Sequence, residues 1–243
     1  MKACSLAGTP GLPGPEESAG SPAARPLGVR RLGRVPYGRG LEIQESLVAE
    51  RQAGRVPDHL LLLEHDPVFT LGRSARPENV LFPAEALRER GFDVFETGRG
   101  GDVTYHGPGQ VVGYPVLDLS PDRRDVHRYV RDLEEVMLRT CADYAIEAGR
   151  VEGLTGTWVG REKIGAIGVR IARWVTSHGF AFNVATDLSA FDLIVPCGIR
   201  GRGVTSLERL LGRPVPIDEV MGRLTAHFAA VFEMAVTEAG PAE

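Results

Sequence analysis

Two side chains in this sequence have types and settings suited to acyl-group chemistry. Cys197 lies in residues 195–199, where Pro196 fixes φ before the cysteine and Gly198 leaves its far side uncrowded. A thiol in such a loop can reach a ligand and form a thioester. Lys163 opens an apolar, glycine-studded segment, and a partly buried lysine can serve as base or charge partner. Taken singly, most cysteines are packing and most lysines are solvated surface, so neither residue decides the function alone.

The other two cysteines, Cys4 and Cys141, are weaker candidates for a catalytic nucleophile. Cys141 lies within a predicted amphipathic helix and is expected to be inert core, while Cys4 lies near the N-terminus. Three cysteines without a CxxC pair argue against a disulfide framework and against a zinc site. A free thiol fits a reducing compartment, and a cytoplasmic location is therefore expected.

Two further segments suggest a binding site. Residues 98–110 carry many glycines, which let the backbone approach a ligand closely. The segment lacks the Gly-Lys-Ser/Thr ending of a phosphate loop, and Val103 stands where a dinucleotide fingerprint needs its third glycine. Residues 177–184 alternate like a strand with one small-residue face, suited to lie beside an acyl chain. Tight turns and a plain strand are the simpler interpretations of these two segments.

Helices and strands must position these residues. Apolar spacing predicts helices over residues 84–90, 125–146 and 218–235, and a helical segment around residues 41–48. Strands are predicted at residues 29–33, 59–65, 92–96 and 103–106, with hairpin-linked strands across 150–184. The elements do not alternate in a strict βαβ order. The predicted class is therefore α+β (α/β sandwich-like), with a mixed or largely antiparallel β-sheet and packed helices.

Length, composition and charge limit the number of domains and the classes of protein to which the chain can belong. The chain has 243 residues, of which 43% are hydrophobic, enough for one large domain. Residues 1–26 combine turn-forming residues without a hydrophobic period and are predicted to be a disordered tail, leaving 27–238 as the catalytic domain. The net charge of −4 gives no nucleic-acid signature, and no apolar run approaches the roughly 18 residues of a membrane span. A monomer is the default expectation.

Four segments in order resemble one family. Residues 99–110, 163–168, 178–183 and 196–199 closely resemble the octanoyltransferases of lipoate synthesis, and the likeness covers about residues 27–235. The resemblance implies the fold of the biotin and lipoate ligase superfamily, a mixed sheet carrying helices around an acyl tunnel. Asp102 stands where other members commonly carry Gln, and Phe182 where many carry Leu. Neither departure removes a catalytic group.

The resemblance also implies roles for individual residues. Cys197 would carry the acyl group and Lys163 would be its charge partner. The residues implied to line the substrate site fall in three runs: Arg99, Gly100, Gly101, Asp102, Val103, Thr104, Tyr105 and His106; Ala166, Ile167 and Gly168; and Gly179, Phe180 and Ala181.

The implied reaction moves an octanoyl or lipoyl group from acyl carrier protein to a specific lysine. The implied acceptors are lipoyl domains of 2-oxo acid dehydrogenase acyltransferase subunits and the glycine-cleavage H protein. Thioester exchange conserves the activated bond, so no ATP, metal or other cofactor is expected. Lys163, once neutral, is hypothesised to take the proton of the acceptor amine as a general base. Backbone N–H groups within residues 98–101 or 197–198 are candidate oxyanion donors.

Several alternatives stay open at this point. A Cys–His dyad would use His106 or His178, although orienting roles are preferred for both. An ATP-dependent lipoate or biotin ligase of the same superfamily would need the lysine but not the cysteine, and no convincing adenylate-binding set is visible. A non-catalytic acyl-binding protein would never be acylated, and a thioesterase would release the acyl group to water.

Overall fold

The computed structural model describes residues 24–199 and 201–238. Its α-helices are α1 Tyr37–Gln52, α2 Ala84–Glu89, α3 Val126–Ala142, α4 Leu207–Leu211 and α5 Ile217–Phe232. Its strands are β1 Arg25–Val35, β2 Asp58–His65, β3 Val68–Leu71, β4 Asp93–Glu96, β5 Val103–His106, β6 Gln110–Val116, β7 Gly149–Val151, β8 Leu154–Val159, β9 Glu162–Ala172, β10 Val175–Asn183, β11 Gly203–Val204 and β12 Met234–Glu238.

The strands form one large and one small mixed sheet. The large sheet has the order β12-β1-β2-β6-β10-β9-β8-β7, with β11 pairing β9 beside it. β1 is parallel to β12 and to β2, and β11 is parallel to β9, whereas the other pairs are antiparallel. The small sheet has the order β4-β3-β5. The predicted mixed sheet with packed helices is therefore confirmed.

The large sheet is covered on both faces near its centre. Leu60 and Leu62 of β2 belong to the core that contains the buried faces of α3 and α5, while Leu61 and Leu63 belong to the core that contains Leu47 of α1. Successive side chains of a strand point to opposite faces, so a strand buried on both sides needs an unbroken apolar run. This explains why four leucines follow one another in β2.

Two predicted helices are shorter in the structure. α3 begins as predicted, with the Asp125 side chain accepting a 3.0 Å hydrogen bond from the Arg128 N–H as N-cap, but it ends at Ala142 rather than 146. The chain turns at Ala145, where φ is 55°. α5 ends at Phe232 rather than 235 because Glu233 takes the left-handed conformation. Helices commonly end at a glycine with positive φ, but here the positive-φ residues are Ala145 and Glu233. The helix ends predicted from apolar spacing alone were therefore placed too late in the sequence.

Other boundaries also differ from the prediction. α1 is longer than the predicted 41–48, and β1 continues past Gly33, where φ is +65° and the register with β2 shifts. Arg25 and Pro26 belong to β1, although both fall within the predicted tail of residues 1–26; residues 1–23 lie outside the described residues. The strands β3, β6, β11 and β12 and the helix α4 were not predicted, whereas β7 to β10 correspond to the hairpin-linked strands predicted across residues 150–184.

A separate small core lies behind the small sheet. It contains Phe69 of β3, Val103 and Tyr105 of β5, and Phe191 and Ile194 from the segment that leads to Cys197. This core joins the small sheet to the cysteine-bearing segment, which fixes that segment's position relative to the large sheet. None of the described helices is long and apolar enough to cross a membrane.

Candidate active site

The fold brings Lys163 and Cys197 into direct contact. Lys163 lies near the start of β9 and is 8% exposed, and its Nζ is 3.3 Å from the Cys197 Sγ. The Nζ also lies 4.8 Å from the ring centroid of Trp158, which faces Lys163 across the β8–β9 pair. A buried cation at this distance stabilises a thiolate electrostatically, and the indole face adds a cation–π contact that holds the ammonium in place.

The backbone at Cys197 is unusual. Residues Pro196–Gly198 form a single 3₁₀ turn in which Cys197 has φ 55° and Gly198 has φ 68°. A Cβ at Gly198 would lie 2.7 Å from the Asp102 Oδ2, so glycine is required there by both conformation and space. The Val195 N–H donates to the Asn79 carbonyl at 2.8 Å and anchors the turn. Non-glycine residues in this conformation are typical of functional sites.

Asp102 ties three segments together beside the cysteine. Its Oδ1 accepts from the N–H groups of Arg76 and Val103 at 3.2 and 2.7 Å, and its Oδ2 accepts from the Asn79 Nδ2 at 2.6 Å. The carboxylate also lies against Gly198, as the distance from the built Cβ shows. Asp102 therefore supports the cysteine turn as well as bordering the cavity. Asn79 gave no signal in the sequence, because it reaches the site only through the fold.

Removing the Asp102 carboxylate should disturb both stability and acylation. In Asp102→Ala the Asn79 amide loses its acceptor, so the free energy of unfolding is expected to fall by about 1–3 kcal/mol. The Cys197 acylation rate is expected to fall about tenfold as the turn loosens. Urea unfolding and acyl-enzyme formation measure the two effects. Glu78→Ala, which removes an exposed carboxylate next to Asn79 in the turn Pro77–Asn79, is the matched control for stability; equal stability of Asp102→Ala and Glu78→Ala would contradict the assignment.

A cavity of about 370 Å³ extends from Cys197 across the large sheet. Its floor includes Ala166, Gly168, Gly179 and Ala181, which are neighbours in the β9–β10 pairing, with Ala181 opposite Ala166 and Gly179 opposite Gly168. Small residues on this face leave room for a ligand. The facing wall contains residues 99–102 with Thr104 and His106 of β5. A pocket of this size with apolar walls and a few polar groups is typical of a small-molecule site.

Two of the predicted lining residues do not line this cavity. Val103 and Tyr105 point into the small core, while Thr104 and His106 of the same strand face the cavity. The reason is the two-residue period of a strand, which sends alternate side chains to opposite faces. Ile167 and Phe180 border the cavity, but their side chains pack with the core under α3 and α5. The remaining predicted residues, Arg99 to Asp102, Ala166, Gly168, Gly179 and Ala181, line the cavity.

Arg99 is a buried cation that is held by neutral oxygens. It is 6% exposed, and its guanidinium donates to the Thr70 carbonyl and Oγ1 and to the carbonyls of Gly100 and Asp102 at 2.5–3.1 Å. The Gly100 N–H donates to the Val169 carbonyl at 2.9 Å, and a Cβ at Gly168 would lie 2.9 Å from the Gly100 oxygen. The glycine segment therefore packs against β9 at Val169, beyond the residues of β9 that pair with β8, and Arg99 adds positive potential to the cavity wall.

The chain also matches known proteins over most of its length. Residues 36–229 match the family model of the lipoyl protein ligase A/B catalytic domain. The chain belongs to this family. It is 57% identical over 205 residues to an octanoyltransferase of Solibacter usitatus (strain Ellin6076), covering 84% of this chain and 92% of that relative. The family membership predicted from the four segments is thus confirmed.

Solved structures show the same fold at low sequence identity. A bi-partite lipoate protein ligase from Thermoplasma acidophilum superposes with a TM-score of 0.67 at 18% identity, covering 89% of this chain and 86% of that chain. A biotin protein ligase from Aquifex aeolicus in complex with biotin and ATP gives a TM-score of 0.55 at 12% identity, covering 85% and 70%. The predicted biotin and lipoate ligase fold is confirmed.

Polar aromatic groups gather at one end of the cavity. Tyr37 and Tyr114 line it with His106 and His178, and His65 joins them from behind through a 2.6 Å contact between its Nε2 and the Tyr114 hydroxyl. Burial lowers the pKa of His65 to about 4. Burial, with His65 and Arg99 nearby, lowers the pKa of His106 to about 3, and burial beside Arg99 and Arg170 lowers that of His178 to about 4. These three imidazoles are neutral at neutral pH.

The neutral histidines predict a pH-dependent stability. An unfolded histidine binds a proton below about pH 6.5, whereas the folded groups stay neutral until about pH 4 or 3. The stabilisation is therefore complete above pH 6.5 and is lost as the pH falls towards 4, by up to about 1.4 kcal/mol per pH unit for each histidine. Urea unfolding at pH 7, 6 and 5 measures the slope. His106→Gln should reduce the slope, while the exposed His127→Gln should not; equal slopes would disprove this origin.

The described residues favour the lysine over a histidine as partner of Cys197. Lys163 is the one side chain that hydrogen bonds to Cys197 within residues 24–199 and 201–238, and the His106 ring instead contacts Gln110 and Thr70. The same residues contain no group of three or more His, Cys, Asp or Glu side chains arranged to hold a metal ion. Sequence reasoning missed Tyr37, Tyr114 and Trp158, because nothing in their local sequence distinguishes them from core aromatics.

Proposed function

We propose that this chain is an octanoyltransferase that carries the octanoyl group as a thioester on Cys197 and delivers it to a lysine of a lipoyl domain. The observation that carries the proposal is the 3.3 Å contact between Lys163 Nζ and Cys197 Sγ beside an acyl-sized cavity. The match to a relative named octanoyltransferase supports it. The direct contact between these two residues, both predicted to be catalytic, supports thioester exchange at this position.

In the first step the Cys197 thiolate attacks the thioester carbonyl of octanoyl carrier protein. The C–S bond to the carrier's thiol breaks, the C–S bond to Cys197 forms, and the Lys163 ammonium gives its proton to the departing thiolate. The oxyanion of the intermediate needs N–H donors. The N–H groups of Gly100 and Gly198 already donate to the carbonyls of Val169 and Val195. Those of Gly101 and Cys197 donate to no acceptor within the described part of the chain, and they are the proposed oxyanion donors.

In the second step the acceptor amine attacks the acyl-enzyme. Lys163, neutral after the first step, takes a proton from the attacking amine, the amide bond forms and Cys197 leaves as a thiolate. The ammonium–thiolate pair is then restored, so each cycle balances in protons and needs no ATP. Metal and other cofactors have no part in these steps.

A second, polar cleft gives the partners a way to Cys197. This cleft of about 420 Å³ is lined by Ser74, Arg76, Glu78, Asn79, Gly101, Asp102, Cys197 and Gly198, and Cys197 is shared with the acyl cavity. We assign the acyl chain to the apolar cavity, and the carrier's thiol arm and the acceptor lysine to the cleft. Acyl carrier protein is the proposed donor. Lipoyl domains of 2-oxo acid dehydrogenase acyltransferase subunits and the glycine-cleavage H protein are the proposed acceptors, in the cytoplasm.

The test is transfer without ATP. The purified chain is mixed with octanoyl carrier protein and a lipoyl domain, and intact masses of enzyme and acceptor are recorded over time. The expected result is transient gain of one octanoyl group on the enzyme, followed by stable gain on the acceptor. A requirement for ATP would decide for a ligase. Free octanoate in place of modified acceptor would decide for a thioesterase, and no acylation at all for a binding protein.

A further inference from the structure

A second groove begins where the acyl cavity ends. This groove of about 310 Å³ lies between α1 and the β9–β10 hairpin, and its lining includes Leu41, Gln44, Val48, Ala172 and Val175. His178 lines both the groove and the acyl cavity, and it is the one residue that the two linings share. The imidazole therefore stands as a partition between two spaces.

The two spaces follow the same structural elements. Tyr37 of α1 lines the acyl cavity, and Leu41, Gln44 and Val48 line the groove. These positions are separated by three or four residues and so lie along one face of the helix. β10 runs beneath in the same way, with Ala181 and Gly179 in the cavity and Ser177 and Val175 in the groove. The groove is thus the continuation of the cavity beyond His178.

His178 is held in place by its backbone. Its φ is 54°, and its N–H donates to the Gln44 Oε1 at 2.7 Å. The side chain is 6% exposed, its ring lies 6.3 Å from that of Tyr114 at 86°, and its Nδ1 is buried without a hydrogen-bond partner in the described residues. Burial and the nearby arginines keep the imidazole uncharged. A neutral, rigidly placed ring is suited to meet the end of an alkyl chain.

The position of the partition fits an eight-carbon chain. Ala181 lies beside Lys163 and Cys197 in a small recess that these residues share. His178 is three residues away along β10, or about 10 Å at the usual rise of a strand. That distance is close to the length of an extended eight-carbon acyl chain. From His178 to Val175 the groove offers a further 10 Å or so, again by strand rise.

We propose that His178 is the end stop that sets the acyl-chain length, and that the groove behind it would take the distal part of a longer chain once the ring is removed. The proposal rests on the proposed octanoyl transfer and names the residue that determines its chain-length specificity. In the native protein the groove stays separate from the acyl cavity, so chains much longer than eight carbons are rejected.

The experiment measures acylation of Cys197 by intact mass, with carrier proteins bearing 8-, 10-, 12- and 14-carbon chains. For the native protein, the rate is expected to drop sharply for chains that pass His178. In His178→Gly, which suits the positive φ, the ratio of 14-carbon to 8-carbon acylation is expected to rise at least about tenfold. His178→Phe keeps the ring volume and should preserve the native ratio within about threefold. Adding Val48→Trp to His178→Gly should fill the groove and restore the limit.

Two results would overturn the end stop. One is a native rate that declines smoothly to 14 carbons without a break, which is measurable whatever the variants do. The other is a His178→Gly protein that accepts the 8-carbon chain and keeps the native ratio. Failure of the proposed function looks different, because the native protein would then gain no octanoyl mass at all. The end stop and the transfer reaction are therefore tested separately.

Discussion

Replacing Cys197 by alanine is expected to abolish the acyl-enzyme and to lower transfer to the acceptor lysine at least about 1,000-fold. The reason is that the reaction then lacks its covalent intermediate, and an amine from a second protein would have to attack the carrier thioester directly. Among the described cysteines, only Cys197 has a cation in hydrogen-bonding contact with its sulfur, at 3.3 Å from Lys163 Nζ. The measurement is intact mass after exposure to octanoyl carrier protein, followed by neutral hydroxylamine, which cleaves thioesters.

Cys141 provides the matched control for this experiment. It is fully buried in the core under α3, and burial raises the pKa of its thiol to about 12. A thiol in that state is neither accessible nor ionised, so Cys141→Ala should be acylated as fast as the native protein. If Cys197→Ala still gained a hydroxylamine-labile octanoyl group, the assignment of the intermediate to Cys197 would be wrong.

Replacing Lys163 by arginine should separate the two steps of the reaction. Arginine keeps the positive charge beside Cys197 but cannot give up a proton to become a base. In this variant the carrier's thiol can still leave as a thiolate beside the guanidinium and take its proton from water, so acylation of Cys197 is expected to stay within about tenfold of native. Transfer to the acceptor lysine, which needs the base, is expected to fall about 100-fold or more. The acyl-enzyme should accumulate. Single-turnover mass measurements with and without the lipoyl domain give both rates.

Two controls make the lysine result specific. Lys163→Met removes charge and base together, so both steps should slow. Hydroxylamine, which needs no base to attack, should release the octanoyl group from Lys163→Arg as fast as from the native acyl-enzyme. Near-normal transfer to the acceptor lysine in Lys163→Arg would eliminate the general-base role and leave Lys163 as a charge partner only.

The two members of the proposed catalytic pair could be singled out because the local sequence of each is unusual. Cys197 between proline and glycine, and Lys163 before a glycine-studded strand, are strong signals when they occur with the glycine segment. Their contact at 3.3 Å is a product of the fold, because the segment before the 3₁₀ turn packs in the small core and the segment after it, β11, pairs with β9 at Lys163. The sequence therefore identified Lys163 and Cys197 as candidates. The small core around Phe69 and Phe191 positions the segment that carries Cys197 beside Lys163.

Other parts of the site were out of reach of sequence patterns. Tyr37, Tyr114 and His65 come from three different elements, and only the pairing of β2 with β6 and the position of α1 bring them together. The error at Val103 and Tyr105 is of another kind. The strand over residues 103–106 was predicted, and its two-residue period already implied that only alternate side chains face one space. All four residues of the strand were predicted to line the site, although the strand period allows only Thr104 and His106 to do so while Val103 and Tyr105 face the small core.

The pairing of β1 with β12 has a consequence for how this chain folds during its synthesis. β1 lies near the start of the chain and β12 near its end, yet Arg25 to Val29 pair with Met234 to Glu238 in a parallel ladder. During synthesis, β1 can pair with β2 early, but the edge of β1 that pairs with β12 has no partner until β12 leaves the ribosome. Such distant pairing is slow to form and leaves an open edge meanwhile. Completion of the sheet is thus coupled to the synthesis of β12, and a nascent chain stalled before β12 would present β1 as an aggregation-prone strand.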